Sequence, residues 1–434
     1  MSVIQIGLLG CGTVGTGVLK LLRDNGQDIL ARLGASIEVK HIVVRDPDKP
    51  RDEIVDQELL TTDPEQVLND PDIPLVVEVM GGIEPARTWV LRALKNGKSV
   101  ITANKALLAK HGAEIFQVAD EAGRDVIFEA AVAGGIPIIR MLREGLASDR
   151  ISAILGIING TSNFILTEMS QGGHPYDETL KRAQEKGFAE ADPTMDVGGF
   201  DAAQKLSILM AISYGTQIDS DAILTEGLQQ ISPADIRLAS RFGYVIKPLA
   251  IARCHAGELE ARVHPTLIPK NHMLAAVDGV FNAIMVQSDA MGPLLFSGKG
   301  AGMMPTAMSV VSDIIELGRN VPRDMAGRLP HLAFHPHLAR NRTLRDANAI
   351  RCRHYLRFPV VDEAGVLSQI TGILGRYEIS ISQMIQEDTG AKGPVDVVIL
   401  THHANEGAIK QALAEISKEE YMQGIPCQLR IEDN

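Results

Sequence analysis

Short apolar runs alternating with amphipathic stretches organise the first 130 residues. Residues 3–9 make a short apolar run rich in β-branched residues, and GVLKLLRDN, which follows a glycine turn, repeats its apolar positions at helical spacing. Further strands are predicted at 37–45, 75–80, 99–102 and 126–128, separated by helical segments such as ARTWVLRALKNG and AEIFQVADEAG. This alternation predicts an α/β fold with a doubly wound parallel sheet of the Rossmann type. After Gly134-Gly135 the regularity is lost: strands at 151–158, 245–253, 259–263 and 283–287 mix with helices, as in an α+β region. A polar, Arg-rich stretch at 339–352 reads as a linker. Beyond it the order strand (354–361), helix (366–377), strand (380–386), strand (395–402), helix (406–417), strand (427–431) is the ferredoxin-like βαββαβ unit, with Asp362 expected as a helix N-cap.

The length of 434 residues, at about 150 per domain, fits three regions. Their expected bounds are 1–134, a dinucleotide-binding domain completed by helices from 305–338; 135–304, for substrate binding, catalysis and dimerisation; and 353–434, regulatory. The polar join predicts that deleting the tail from about residue 345 leaves a folded, active remainder. With 42 basic against 54 acidic residues the net charge is −12, the wrong sign for a nucleic-acid partner. The four cysteines are scattered and the N-terminal apolar run is broken by Gly7 and Gly10, so the expectation is a reducing cytoplasm, with neither signal peptide nor membrane span.

Gly10-Cys11-Gly12-Thr13-Val14-Gly15 is a GxGxxG between a strand and a helix, the context in which glycines let a pyrophosphate approach a helix N-terminus. The second strand runs into Arg45-Asp46. An acid there suits the ribose hydroxyl of NAD and an Arg the 2′-phosphate of NADP; Lys49 and Arg51 nearby tilt the expectation to NADP(H), with NAD(H) open.

Glu190, Asp192, Asp196 and Asp201 crowd into AEADPTMDVGGFD, with glycine misplaced for an EF-hand, so an organic ammonium is the better cation. Asp201 and Lys205 stand i, i+4 on a helix that is apolar on nearly all sides, where a lysine costs desolvation and usually has a task. Lys105 follows a predicted strand at the ligand-binding edge of the sheet, although position alone fits a merely solvated lysine equally well. His331, His335 and His337 do not make a metal site, since Pro336 breaks any shared helical face.

With these residues in place, GLLGCGTVGTGV, EVMGG, TANKALLA, FEAAVAGGIPII, GIINGTSNFIL, FAEADPTMDVGGFDAAQKL and GKGAGMMPTAMSVVSD closely resemble the homoserine dehydrogenase family, and FPVVDEAGVLSQITGIL resembles an ACT domain. The resemblance implies the reversible, NAD(P)H-dependent reduction of L-aspartate 4-semialdehyde to L-homoserine, for threonine, methionine and isoleucine biosynthesis. It further implies a monofunctional form, an amino-acid effector such as threonine at the tail, where Gly365 would bring amides close, and a homodimer or homotetramer. Lys205 and Asp201 match catalytic positions, Glu190, Asp196 and Lys105 substrate contacts, and Gly81, Ala103, Asn104, Lys105 and Gly300 cofactor contacts. Glu129, Val132, Gly134 and Ile136 match a loop that holds a monovalent cation, Na+ or K+. The carboxylate set also admits another amino-acid semialdehyde, whereas a non-catalytic sensor leaves Glu190, Asp201 and Lys205 unexplained.

Overall fold

The computed structural model describes residues 2–323, 325–339, 342–386 and 394–433. Contacts divide the chain into two compact units, Met1–Ser152 with Ala203–Ala222 and Phe281–Asn341, and Ala153–Ala202 with Ile223–Val280 and Arg342–Asn434. The middle of the chain therefore contributes to both.

In the first unit, β1 (Ser2–Leu9), β2 (Ala35–Val43), β3 (Leu60–Thr61), β4 (Leu75–Glu78), β5 (Ser99–Thr102) and β6 (Val126–Ile127) form a six-stranded sheet in the order β3-β2-β1-β4-β5-β6. Every adjacent pair in it is parallel. The order reverses between β1 and β4, so the carboxyl ends of these strands open the crevice in which doubly wound sheets take their ligands. Ile4, Ile6 and Leu8 of β1 are buried with Val77 of β4 and Ile101 of β5 under two helices, Thr13–Asp24 and Met303–Asn320. The second helix supplies Ala307, Val310, Ile314 and Leu317 from far along the chain.

The second unit contains β7 (Ile151–Ile157), β8 (Leu224–Thr225), β9 (Tyr244–His255) and β10 (Glu258–Pro269). β11 (Phe281–Ser288) and β12 (Gly292–Lys299) are an antiparallel hairpin of the first unit. β12 escapes sequence reading because GPLLFSGK carries two interior breakers, Pro293 and Gly298, in a half-exposed strand. The tail adds β13 (Arg351–Val360), β14 (Ile381–Gln386), β15 (Val395–Thr401), β16 (Ala404–Asn405) and β17 (Cys427–Ile431), with the helices Val366–Arg376 and Glu406–Ile416 completing the expected βαββαβ order. Within the unit the strands run β7-β9-β10-β17-β13-β15-β14, and β17 lies parallel to β10, pairing Thr266 with Arg430.

The stretch 339–352, read from its polarity as a linker, is largely tied down; its residues 340 and 341 lie outside those described. Leu259 of β10 donates its N–H to Thr343 and accepts from that of Arg345, whose side chain pairs with Glu258 at 2.6 Å, and Ile350 and Cys352 are buried. Asp362 does not cap the following helix. Gly365 occupies that position in a left-handed conformation, φ 97°, and Asp362 accepts instead from Gln386.

Candidate functional site

The glycine loop leaves β1 and enters the Thr13–Asp24 helix, whose N-cap, Gly12, offers no side-chain acceptor to the first helical amides. Its glycines have three different physical reasons. Gly10 has φ 101°, and a Cβ there would sit 3.0 Å from the Met80 backbone; at Gly15 a Cβ would meet the Gly10 carbonyl at 2.8 Å; at Gly12 it would meet nothing within 4 Å. The first two hold a tight turn and a close helix, and the third leaves open the face where backbone amides and the helix dipole favour an anion. Thr13 is exposed and Val14 half-buried beside it, and burial pushes the Cys11 thiol up, against the opposing hydrogen bond of Thr16 and charge of Arg51. A raised thiol is a poor nucleophile, consistent with Cys11 serving as a small loop residue.

Arg45 is exposed just beyond β2. Asp46 turns its carboxylate back onto the N–H of Asp48, 3.0 Å away, and Arg51 spends its guanidinium on the carbonyls of Asp46, Pro47 and Lys49.

Glu78, at the end of β4, is the main feature that sequence reading missed. Fully buried, it accepts from Thr102 Oγ1 at 2.6 Å and from the N–H groups of Met80 and Gly81 at 2.9 and 3.3 Å. Asn104 adds a longer contact at 3.5 Å, donates to the Gly82 carbonyl at 2.6 Å, and caps the next helix through Leu107 N–H. Burial raises the Glu78 pKa while these donors pull it down. One carboxyl group thus gathers the β4 turn with Gly81 and the β5 turn with Ala103 and Asn104. Lys105 follows as the first residue of its helix. The legible signal was a lone acid inside the apolar strand LVVEVM.

In the second unit Asn159 performs the equivalent task and was likewise missed, although it stands at an Asn-Gly-Thr-Ser helix start. Its side-chain oxygen caps the Gly160–Gly172 helix, and its amide nitrogen bridges Asp196 at 2.7 Å and buried Asp201 at 2.9 Å. Two of the four clustered carboxylates are thereby brought together. Asp192 is diverted to a local turn, accepting from the N–H and hydroxyl of Thr194, which lower its pKa. Glu190 is exposed, and its backbone carbonyl accepts from Gln184. Asp201 opens the helix Phe200–Tyr214 and Lys205 follows one turn later, half-buried between Ala203 and Leu206, so both stem from one helical face.

Residues 129–136 form a turn in which Ala133 and Gly134 both have positive φ, 54° and 42°. Glu129 is buried and accepts from the N–H groups of Ile139 and Arg140, each at 2.8 Å; burial raises its pKa and those amides oppose the rise. Val132 and Ile136 are also buried. A Cβ at Gly134 would lie 2.6 Å from the Gly300 carbonyl, so these two segments abut.

Among the described residues, Cys352, His354 and Glu406 are the one group of three His, Cys or carboxylate side chains with metal-ligand spacing, but Arg430 donates to both oxygens of Glu406, and a second cation there would meet that guanidinium. His331 is structural: its Nδ1 accepts from Val126 N–H and its ring stacks on Phe116.

Comparison with known proteins gives the family to which these elements belong. Residues 137–315 match the homoserine dehydrogenase family model, 10–129 its NAD-binding domain, and 354–420 the ACT domain. A homoserine dehydrogenase of Neisseria gonorrhoeae is 45% identical over 96% of this chain and 95% of its own. The chain belongs to the homoserine dehydrogenase family. The crystal structure of a homoserine dehydrogenase from Thiobacillus denitrificans superposes with a TM-score of 0.94 at 47% identity, covering 100% of this chain and 99% of that one. A hyperthermophilic archaeal homoserine dehydrogenase in complex with NADPH gives 0.61 at 26% identity, over 72% of this chain and 97% of that one. The chain is thus an NAD(P)-dependent oxidoreductase that interconverts L-aspartate 4-semialdehyde and L-homoserine, with an ACT domain for an amino-acid effector. No helix among the described residues is long and apolar enough to cross a membrane.

Proposed function

We propose that the reaction is carried by Lys205 and Asp201, with Glu190, Asp196 and Lys105 holding the substrate and the glycine loop, Gly81, Ala103, Asn104 and Gly300 holding NADP(H). The observation that carries this reading is the Asn159 bridge, which fixes Asp196 and Asp201 together one helical turn before Lys205. A nicotinamide, when bound, supplies the hydride. As the aldehyde carbon accepts it, the oxygen gains negative charge, and the Lys205 ammonium is the group to donate a proton there. Asp201 and Glu190 take the substrate ammonium, and Lys105, on the turn that Glu78 organises, bridges cofactor and substrate.

Preference for NADP(H) over NAD(H) is supported by Asp46, whose carboxylate is engaged within its own loop, next to exposed Arg45; Arg51, spent on backbone carbonyls, adds nothing to it. Arg45→Ala is expected to weaken NADPH binding at least ~10-fold and NADH binding little, since only NADPH carries the 2′-phosphate a guanidinium can grip. Equal losses in a fluorescence titration would place Arg45 outside the ribose pocket.

Glu129 and the carbonyls of Val132, Gly134 and Ile136 would offer oxygen donors of the kind that suits a hard monovalent cation; each Glu129 oxygen keeps a lone pair beyond its amide bond, and the Gly134 and Ile136 carbonyls, which accept from Ser309 and Ile138, each keep a second lone pair. Na+ or K+ there would hold the turn in shape. The exposed apolar residues Phe281 and Leu295 on the β11-β12 hairpin support a homodimer, threonine is the effector that suits the pathway, and a cytoplasmic setting suits the four free cysteines. The substrate assignment is tested by following NADPH oxidation with L-aspartate 4-semialdehyde and NADP reduction with homoserine; faster turnover of a longer semialdehyde would move the assignment to that substrate.

A further inference from the structure

The Met303–Asn320 helix does more than complete the first sheet. One side packs on the helix behind the glycine loop so closely that a Cβ at Gly17 would fall 2.9 Å from Ala307 Cβ and Met303 Cγ. Its other side carries two buried polar residues one turn apart, and both reach the 129–136 turn. Ser309 Oγ donates to the Gly134 carbonyl at 2.6 Å, and Asp313 Oδ2 accepts from Glu129 N–H at 2.9 Å. Asp313 Oδ1 takes Arg140 at 3.1 Å, while Glu129 binds the amides of Ile139 and Arg140, so both ends of the turn are closed by the same pair. The turn then leans on the segment entering this helix: Gly135 N–H donates to the Lys299 carbonyl, and Gly134 meets Gly300.

We propose that Ser309 and Asp313 are positioning residues for hydride transfer: through them one rigid helix refers the 129–136 turn and the Lys299-Gly300 segment to the same frame as the pyrophosphate loop. A dinucleotide held by both segments would have its two ends referred to one frame. Two buried polar groups on the packed side of a helix are costly unless satisfied, and these two are satisfied by the turn together with Arg140. Misplacement of about 1 Å at a reacting centre costs up to ~10²-fold in rate, so a clamp of this kind acts on turnover more than on affinity. The proposal rests on the reading that Gly300, against which the 129–136 turn packs, belongs to the cofactor site.

The test is Ser309→Ala, which removes the donor to Gly134, with Ser309→Thr restoring a hydroxyl and Ser312→Ala as a control whose hydroxyl donates to Met308 Sδ. At saturating NADPH and semialdehyde, Ser309→Ala is expected to lower kcat ~10-fold or more, with the NADPH Kd by fluorescence changing less than ~3-fold. Ser309→Thr recovers most of kcat, Ser312→Ala matches the parent, and the Na+ or K+ concentration for half-maximal protection against melting rises in Ser309→Ala. If Ser309→Ala melts earlier but keeps parental kcat per folded molecule, the residue is structural only and the proposal is overturned. Lys205→Ala separates the two readings: an inactive Lys205→Ala beside a fully active Ser309→Ala sinks the clamp alone, whereas parental activity in both sinks the site assignment first.

Discussion

The glycine loop and the seam between tail and central sheet are both well-formed, but they are built at different ranges along the chain. In the loop, each residue is constrained by neighbours a few positions away or by the adjacent strand end, as when Gly15 faces the Gly10 carbonyl and Gly10 faces Met80. At the seam, Arg357 binds Asp235 across 122 positions and Arg430 binds Glu226 across 204. Tyr355, Leu400, Leu429 and Ile431 of the tail share one buried core with Phe164, Leu238, Ile246 and Leu267, while the opposite face of the tail sheet buries Leu356 and Phe358 under its own helices. The lesson is that a polar segment between two modules need not mark a separable pair.

The harshest way to break this comparison is to delete the tail from about residue 345. Contrary to the expectation from the polar join, the remainder should fail to fold: four exposed core partners at about 2 kcal/mol each approach the ~5–15 kcal/mol by which a domain is stable. A truncated chain with a cooperative melt and parental activity would return the tail to the status of an appendage.

A smaller break is Arg357→Ala. Asp235 is fully buried, its burial alone would raise its pKa, and the hydrogen bonds and charge of Arg357, helped by Ser232, outweigh that and hold it below the usual carboxylate value. A depressed carboxylate stabilises the fold at neutral pH and loses that contribution as pH falls through about 4 and below. Removing the guanidinium leaves a buried carboxylate uncompensated, which costs about 3–5 kcal/mol at pH 7. It also inverts the sign, because the raised carboxyl then favours the folded state as it protonates; urea melts at pH 7 and 5 should show the loss shrinking toward acid. A loss that grows toward acid would remove the pair from the seam.

Gly12→Ala sharpens the other side. The added Cβ meets no protein atom within 4 Å and Gly12 has φ −88°, so the melting temperature should stay within about 2 °C while NADPH Kd rises ~10-fold or more as the methyl blocks the pyrophosphate. Parental affinity would mean that phosphate does not approach this amide.

These effects mirror what the sequence made legible. Five of the six strands of the first sheet and the βαββαβ tail follow from hydrophobic period and turn residues, which are local; the sixth, the two-residue β3, is too short to leave a period. Glu78 and Asn159 could be seen only as a lone acid and a helix-start Asn, because their work is done by donors from other segments, Thr102 and Asn104 for the one and carboxylate partners at 196 and 201 for the other. The parallel pairing of β10 with β17 leaves no pattern in either strand, and Asp362 misled because a nearby acid is a good cap only where the backbone turns for it; here the left-handed turn falls at Gly365.

Chemistry at the helix Phe200–Tyr214 is tested most directly by the turnover of Lys205→Ala at saturating NADPH and L-aspartate 4-semialdehyde. The expected result is a kcat lower by ~10²-fold or more, the usual size of a lost general acid, with NADPH affinity and melting temperature close to the parent. A kcat within threefold of the parent would contradict it and return Lys205 to a structural role.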